Sequence, residues 1–163
     1  AHDLNTLVQN LGELAAYAHE HGVVLCLEPL NRFETSFINT ATQAIEVIDR
    51  VNHPACKIML DTFHMNIEEK SLGAALRATG TRLAHLHACE NDRGAPGSGN
   101  VTWLEVAAAL GEIGYNGPVV IESFTDQVKS IARAAAIWRR FEPSQDALAQ
   151  NGLNFLKGLL SKG

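Results

Sequence analysis

Positive charge is scarce in this chain: 13 Lys and Arg stand against 18 Asp and Glu, for a net charge of −5. No basic run occurs. That argues against gripping nucleic acid or an anionic membrane, since both draw much of their affinity from clustered Lys and Arg. Cysteine is scarce too. Cys26, Cys56 and Cys89 are an odd number, lie far apart and form no CxxC pair, so buried thiols in a reducing, cytoplasmic compartment are expected. No apolar run approaches the roughly 20 residues of a membrane-spanning helix, and neither a signal peptide nor a low-complexity tract is visible. The chain opens at Ala1 without Met and directly in a helical pattern, as expected of a start that was processed or cut from something longer.

What is present is a regular alternation. Of 163 residues, 46% are hydrophobic and 19% charged, a globular composition sized for one domain over 1–163. Leu4, Leu7, Val8, Leu11, Leu14, Ala15 and Ala18 recur at helical spacing until Gly22. Val23–Leu27 then reads as a fully buried strand ending at Glu28-Pro29. A helix starts near Thr40, where Thr40 and Gln43 form a capping-box pattern. Lys57–Leu60 is a strand ending at Asp61, followed by a helix from about Ser71 to Gly80. Leu83–Leu86 is a strand running into His87, and the Gly94–Gly99 loop leads to a helix carrying Trp103, Val106, Leu110 and Ile113. Val119–Ile121 is a strand ending at Glu122. Helices are expected over Val128–Phe141 and Leu148–Leu160, separated by Pro143.

The pattern is therefore one leading helix and four strand–helix units. Glu28, Asp61, His87 and Glu122 lie 33, 26 and 35 residues apart, each gap long enough for one βαβ crossover. Strands buried on both faces and joined by helical crossovers imply an α/β fold with a parallel sheet, in which sites collect at the carboxyl ends of the strands. A single Asp or Glu there is usually a helix cap. Four ionisable side chains in succession, one per strand, are harder to assign to chance. Three carboxylates crowded in a partly dry crevice repel one another. A divalent cation such as Mn²⁺, Mg²⁺ or Co²⁺ removes that repulsion and accepts three carboxylate oxygens and one imidazole.

A second tier follows these strands: Asn31, Arg32 and Glu34; His64 and Asn66; Glu90 and Arg93. Together these resemble a hydrogen-bonding wall for a polyhydroxylated ligand. His85 shares the face of His87 and reads as structural. His2, His19, His21 and His53 read as surface or helix-end residues. Pro96-Gly97-Ser98-Gly99 lacks the Lys-Ser/Thr of a phosphate loop and reads as a tight turn.

The runs Leu27-Glu28-Pro29-Leu30-Asn31-Arg32-Phe33-Glu34 and Leu60-Asp61-Thr62-Phe63-His64-Met65-Asn66-Ile67-Glu68-Glu69 resemble the ketohexose 3-epimerase family. The match continues through His87, Glu90, Arg93, the Pro96-Gly97-x-Gly99 turn, Trp103 and Val120-Ile121-Glu122. The resemblance covers nearly the whole chain but only the carboxyl-terminal half of a family member. It implies a xylose-isomerase-like (β/α)8 TIM barrel, here a half-barrel of four parallel strand–helix units. It also implies a divalent metal, Mn²⁺ first and Mg²⁺, Co²⁺ or Zn²⁺ as alternatives, at Glu28, Asp61, His87 and Glu122. Glu28 and Glu122 are the implied acid–base pair; Glu34, His64 and Arg93 are implied to hold the substrate's oxygens. Two departures stand out: Ser123 where the family commonly has Pro, and Cys89 where it usually has Gly.

The expected chemistry is epimerisation of a ketose at carbon 3 through an enediolate. An aldose–ketose isomerase on the same scaffold is the alternative, and so is an inactive half-barrel. An abasic-site endonuclease is disfavoured by the acidic balance. Eight strand–helix units typically need about 250 residues, so a partner is expected, either a second copy or an amino-terminal half-barrel.

Overall fold

The structure is a computed structural model that describes residues 2–161, with the backbone alone for His2, so the reading of that side chain lies outside the described residues. Helix α1 (His2–Glu20) leads into strand β1 (Leu25–Leu27). Helix α2 (Ala41–Val51), strand β2 (Cys56–Asp61), helices α3 (Thr62–Glu68) and α4 (Leu72–Thr79) and strand β3 (Leu83–Ala88) follow. Helix α5 (Trp103–Glu112), strand β4 (Val119–Ile121) and helices α6 (Lys129–Ala134) and α7 (Gln145–Leu160) complete the order. The four strands form one parallel sheet in chain order, the α/β architecture that the spacing implied. No helix among the described residues is long and apolar enough to cross a membrane.

Local chemistry sets the helix ends. The Thr40–Gln43 capping box is formed at α2, and Asn52 closes that helix at φ 47° in the left-handed region. Ser71 and Ser144 accept the backbone N–H three residues on at α4 and α7. Helix α3 has no counterpart in the sequence reading. Asp61 caps it by accepting the Phe63 N–H at 2.8 Å, so this strand-end carboxylate is a helix cap as well as a candidate site residue.

Side chains alternate across the sheet with a period of two. Cys56, Ile58, Leu60, Leu86 and Ala88 are buried in the core shared with the helices. The register pairs Cys26 with Lys57, Met59 with His85, and His87 with Val120, which puts these residues on the other face. That face is partly open: Cys26 is exposed, Val120 is 40% exposed, and Met59 and His85 are half-buried. The expectation of strands buried on both faces is thereby corrected. So is the strand Val23–Leu27, since only Leu25–Leu27 pair and Val23 and Val24 are more than half exposed. Among the described residues strands β1 and β4 each have one neighbour, and the helical layer covers one face.

The Val128–Phe141 helix is also corrected. It stops at Ala134, and Ala136 adopts φ 53°, which breaks the helical path.

Candidate active site

By the same alternation Glu28, Asp61, His87 and Glu122 all belong to the partly open face, at the carboxyl ends of their strands. One ligand-type atom each from Asp61, His87 and Glu122 lies within 4.8 Å of the others, and so do those of Glu28, Asp61 and His64. Asp61 is the hinge of both triads and is fully buried. Its two oxygens face different partners: Oδ1 caps α3, while Oδ2 turns into the crevice, 4.0 Å from His87 Nδ1 and 3.9 Å from His64 Nε2. His87 Nδ1 is buried, has no hydrogen-bond partner among the described residues, and lies 3.5 Å from Glu122 Oε1.

The crowding shows in the protonation of these groups. Burial, reinforced by the charges of Asp61 and Glu122, pushes the Glu28 carboxyl up to about 7. Burial and Asp61 also raise Glu122. Burial, with Arg93 beside it, lowers His64 to about 4, so its imidazole is neutral at neutral pH.

Arg93 supplies the countercharge. Its Nη1 donates to Asp61 Oδ2 and to Glu122 Oε2, both at 2.6 Å, while the guanidinium stacks 3.9 Å from the Phe63 ring centroid. The backbone of Arg93 is held at φ 70°. The two departures noted in the sequence both attach to this residue. Ser123 Oγ donates to the Arg93 carbonyl at 2.7 Å, and Cys89 Sγ accepts from Arg93 Nη1 at 3.3 Å while donating to the Glu122 carbonyl at 2.8 Å. Cys89 is fully buried, and its thiol is pushed well up by that burial.

The other members of the second tier divide. Glu34, His64 and Arg93 are joined to the cluster, Glu34 through Asn31 Nδ2 at 2.9 Å. Arg32 instead turns to Glu68, donating from its backbone N–H, Nε and Nη2, and Asn66 is exposed. Glu90 is committed to the turn that follows β3. It is fully buried and accepts from Gly97 N at 2.7 Å, Val101 N at 3.2 Å and Trp103 Nε1 at 2.5 Å, which folds the 95–101 turn around its carboxylate. A buried indole N–H usually requires an acceptor, so Trp103 was the available sequence signal for this role. Gly97 sits at φ 89° against the Phe155 ring, leaving no room for a Cβ.

Thr62 is a residue the sequence reading passed over. Its hydroxyl donates to the Cys89 carbonyl at 2.6 Å and accepts the Cys89 N–H at 2.8 Å, tying the end of β2 to the end of β3. Thr62→Val keeps the shape and leaves both buried backbone groups unpaired. We expect a loss of about 1–3 kcal/mol, read from urea denaturation; an unchanged midpoint would show that the clamp is not needed.

The donor set suits a divalent cation of intermediate hardness. Oxygens of Asp61 and Glu122 converge with an imidazole nitrogen that has no other partner, and Glu28 flanks them. The family model described as a xylose isomerase-like TIM barrel matches residues 1–159. The chain belongs to the xylose isomerase-like TIM barrel family.

Sugar epimerases are among its relatives within that family. It is 42% identical over 163 residues to D-psicose 3-epimerase of Ruminiclostridium cellulolyticum, covering 97% of this chain and 56% of that protein. It is 45% identical over 131 residues to a probable ketose 3-epimerase of Synechocystis, covering 80% and 46%. Among solved structures, D-psicose 3-epimerase with D-tagatose from Clostridium cellulolyticum H10 superimposes with a TM-score of 0.88 at 41% identity, over 94% of this chain and 55% of that one. An L-ribulose 3-epimerase gives 0.90 at 34% identity, over 95% and 53%. The chain thus spans about half the length of the relatives it matches.

Proposed function

We propose that residues 1–163 are the carboxyl-terminal half of a TIM barrel and carry the reaction centre of a metal-dependent ketose 3-epimerase. One observation supports this reading above the others. Glu28 and Glu122 come from the two outer strands of the sheet and flank Asp61 and His87 of the two inner ones.

Inverting carbon 3 of a ketose requires removal of a proton from one face and delivery of a proton to the other. Two carboxylates on opposite flanks suit that exchange. One takes the proton from carbon 3, leaving an enediolate, and the other returns a proton to the opposite face, so the pair ends with one proton between them as it began. Glu28, Asp61, His87 and Glu122 are the residues that would hold a divalent cation, Mn²⁺ first, whose charge would favour the enediolate over the ketone. His64 Nε2 and Arg93 Nη2 lie 3.4 Å apart in the same crevice, and Glu34 stands at its rim with its side chain 47% exposed. These three orient the sugar's hydroxyl and carbonyl oxygens.

The test is to incubate the protein carrying this chain with ketohexoses in D₂O and Mn²⁺ and to locate deuterium by NMR. Label at carbon 3, with the 3-epimer accumulating, is expected. Label at carbon 1 with aldose formation would overturn the assignment in favour of an aldose–ketose isomerase.

A further inference from the structure

His64 faces two ways, and which of its nitrogens carries the proton decides what it does in the crevice. Nδ1 is approached by two donors of one residue: the backbone N–H of Asn31 at 3.1 Å and its side-chain Nδ2 at 2.8 Å. The orientation of that amide is not arbitrary. Asn31 Oδ1 accepts the Phe33 N–H at 2.9 Å, and Nδ2 also donates to Glu34 Oε1 at 2.9 Å. A flipped amide would lose both bonds and set an oxygen against a carboxylate. Asn31 is 2% exposed, so no solvent competes for these contacts.

A backbone N–H is always a donor, and with Nδ2 beside it the two together favour a lone pair on Nδ1. The remaining groups around the ring agree. Glu34 Oε1 lies 3.9 Å from Nδ1 and would favour a proton there, but Asn31 Nδ2 bonds to both groups and satisfies each. On the other side Nε2 faces Asp61 Oδ2 at 3.9 Å and Arg93 Nη2 at 3.4 Å. The opposite tautomer would gain one long contact from Arg93 and would set the Nδ1 proton against two donors at shorter range.

We infer that Asn31 is a positioning residue that locks His64 as the Nε2–H tautomer, making it a donor into the crevice. Two consequences follow. Of the two triads that share Asp61, the one containing His64 cannot hold a cation, because neither ring nitrogen has a free lone pair. The Nε2–H of His64 and the Nη2–H of Arg93 stand side by side and define a slot for an oxygen acceptor, the kind a sugar hydroxyl or carbonyl presents. The second consequence rests on the epimerase reading; the tautomer itself does not.

The experiment is long-range ¹H–¹⁵N correlation on ¹⁵N-histidine-labelled chain, with and without Mg²⁺, and His64→Gln to assign its signals. Expected is an unprotonated Nδ1 and a protonated Nε2 in both conditions. A protonated Nδ1 in the unmodified chain would overturn the inference, as would loss of the Nε2 proton on adding Mg²⁺. Asn31→Asp keeps the acceptor for the Phe33 N–H and puts a carboxylate oxygen where Nδ2 was, while the backbone N–H still faces Nδ1, so it should move part of the ring-proton population from Nε2 to Nδ1. An Nε2–H population undiminished in that folded variant would show that the side chain of Asn31 is not part of the lock. All of these signals are readable in a chain that turns over no sugar, so failure here and failure of the epimerase assignment are separate results.

Discussion

Arg93→Met should destabilise the metal-free chain by about 3–5 kcal/mol, the cost of leaving a buried charge without its partner. Asp61 is fully buried, and the Arg93 side chain is 7% exposed, 2.6 Å from Asp61 Oδ2 and Glu122 Oε2. Methionine keeps much of the length, still packs against Phe63, and meets the same φ of 70° as arginine does. The difference therefore reports the charge. The same substitution should tighten Mn²⁺ binding, because the guanidinium and a dication compete for Asp61 Oδ2, the one Asp61 oxygen not committed to capping α3. Saturating Mn²⁺ should then restore much of the lost stability by mass action. Urea denaturation with and without Mn²⁺, together with calorimetric titration, checks both. A loss below about 1 kcal/mol, or an unchanged Mn²⁺ affinity, would show that Arg93 is not the countercharge.

The second large effect is on proton transfer. Glu122→Gln removes a base while retaining the size and one oxygen of the side chain. A positioned acid or base contributes about 10²–10⁴-fold to such a step, and we expect a loss of at least that size in deuterium exchange at carbon 3. Glu28→Gln should do the same for the epimer that enters with the opposite configuration at carbon 3. If both variants exchange at the unmodified rate, the two glutamates are not the acid–base pair. Because both are also proposed metal positions, Mn²⁺ binding must be titrated in each variant. A variant that binds the metal at saturation and still fails to exchange separates the two roles.

Much of the architecture was legible from neighbouring residues. The helical spacing from Leu4 to Ala18, the Thr40–Gln43 box and the polar residue ending each strand are local features, and the corresponding elements formed. Helix α3 was hidden because its start, Asp61, already had a reading as a strand-end carboxylate, although one carboxylate can serve both purposes with separate oxygens. The overlong β1 and α6 were expected from composition, whereas their ends depend on pairing partners and on one residue at positive φ. Glu90 looked like a member of the polar wall, and only its approach to Gly97, Val101 and Trp103 revealed it as the support of a turn.

Sequence by itself determined the order of the strands and of the helices other than α3, the parallel sheet and the four residues at its carboxyl ends. Helical and strand periodicity act over a few covalently linked neighbours, and a period of two places every strand-end residue on a known face. Tertiary structure alone decided that Arg93 neutralises Asp61 and Glu122, that Asn31 governs His64, and that one sheet face is left partly open. Those outcomes depend on which oxygen or nitrogen of a side chain meets a group about 30 residues away. Hydrogen bonds and ion pairs act over about 3 Å with strict direction, so they are settled only when the strands lie side by side.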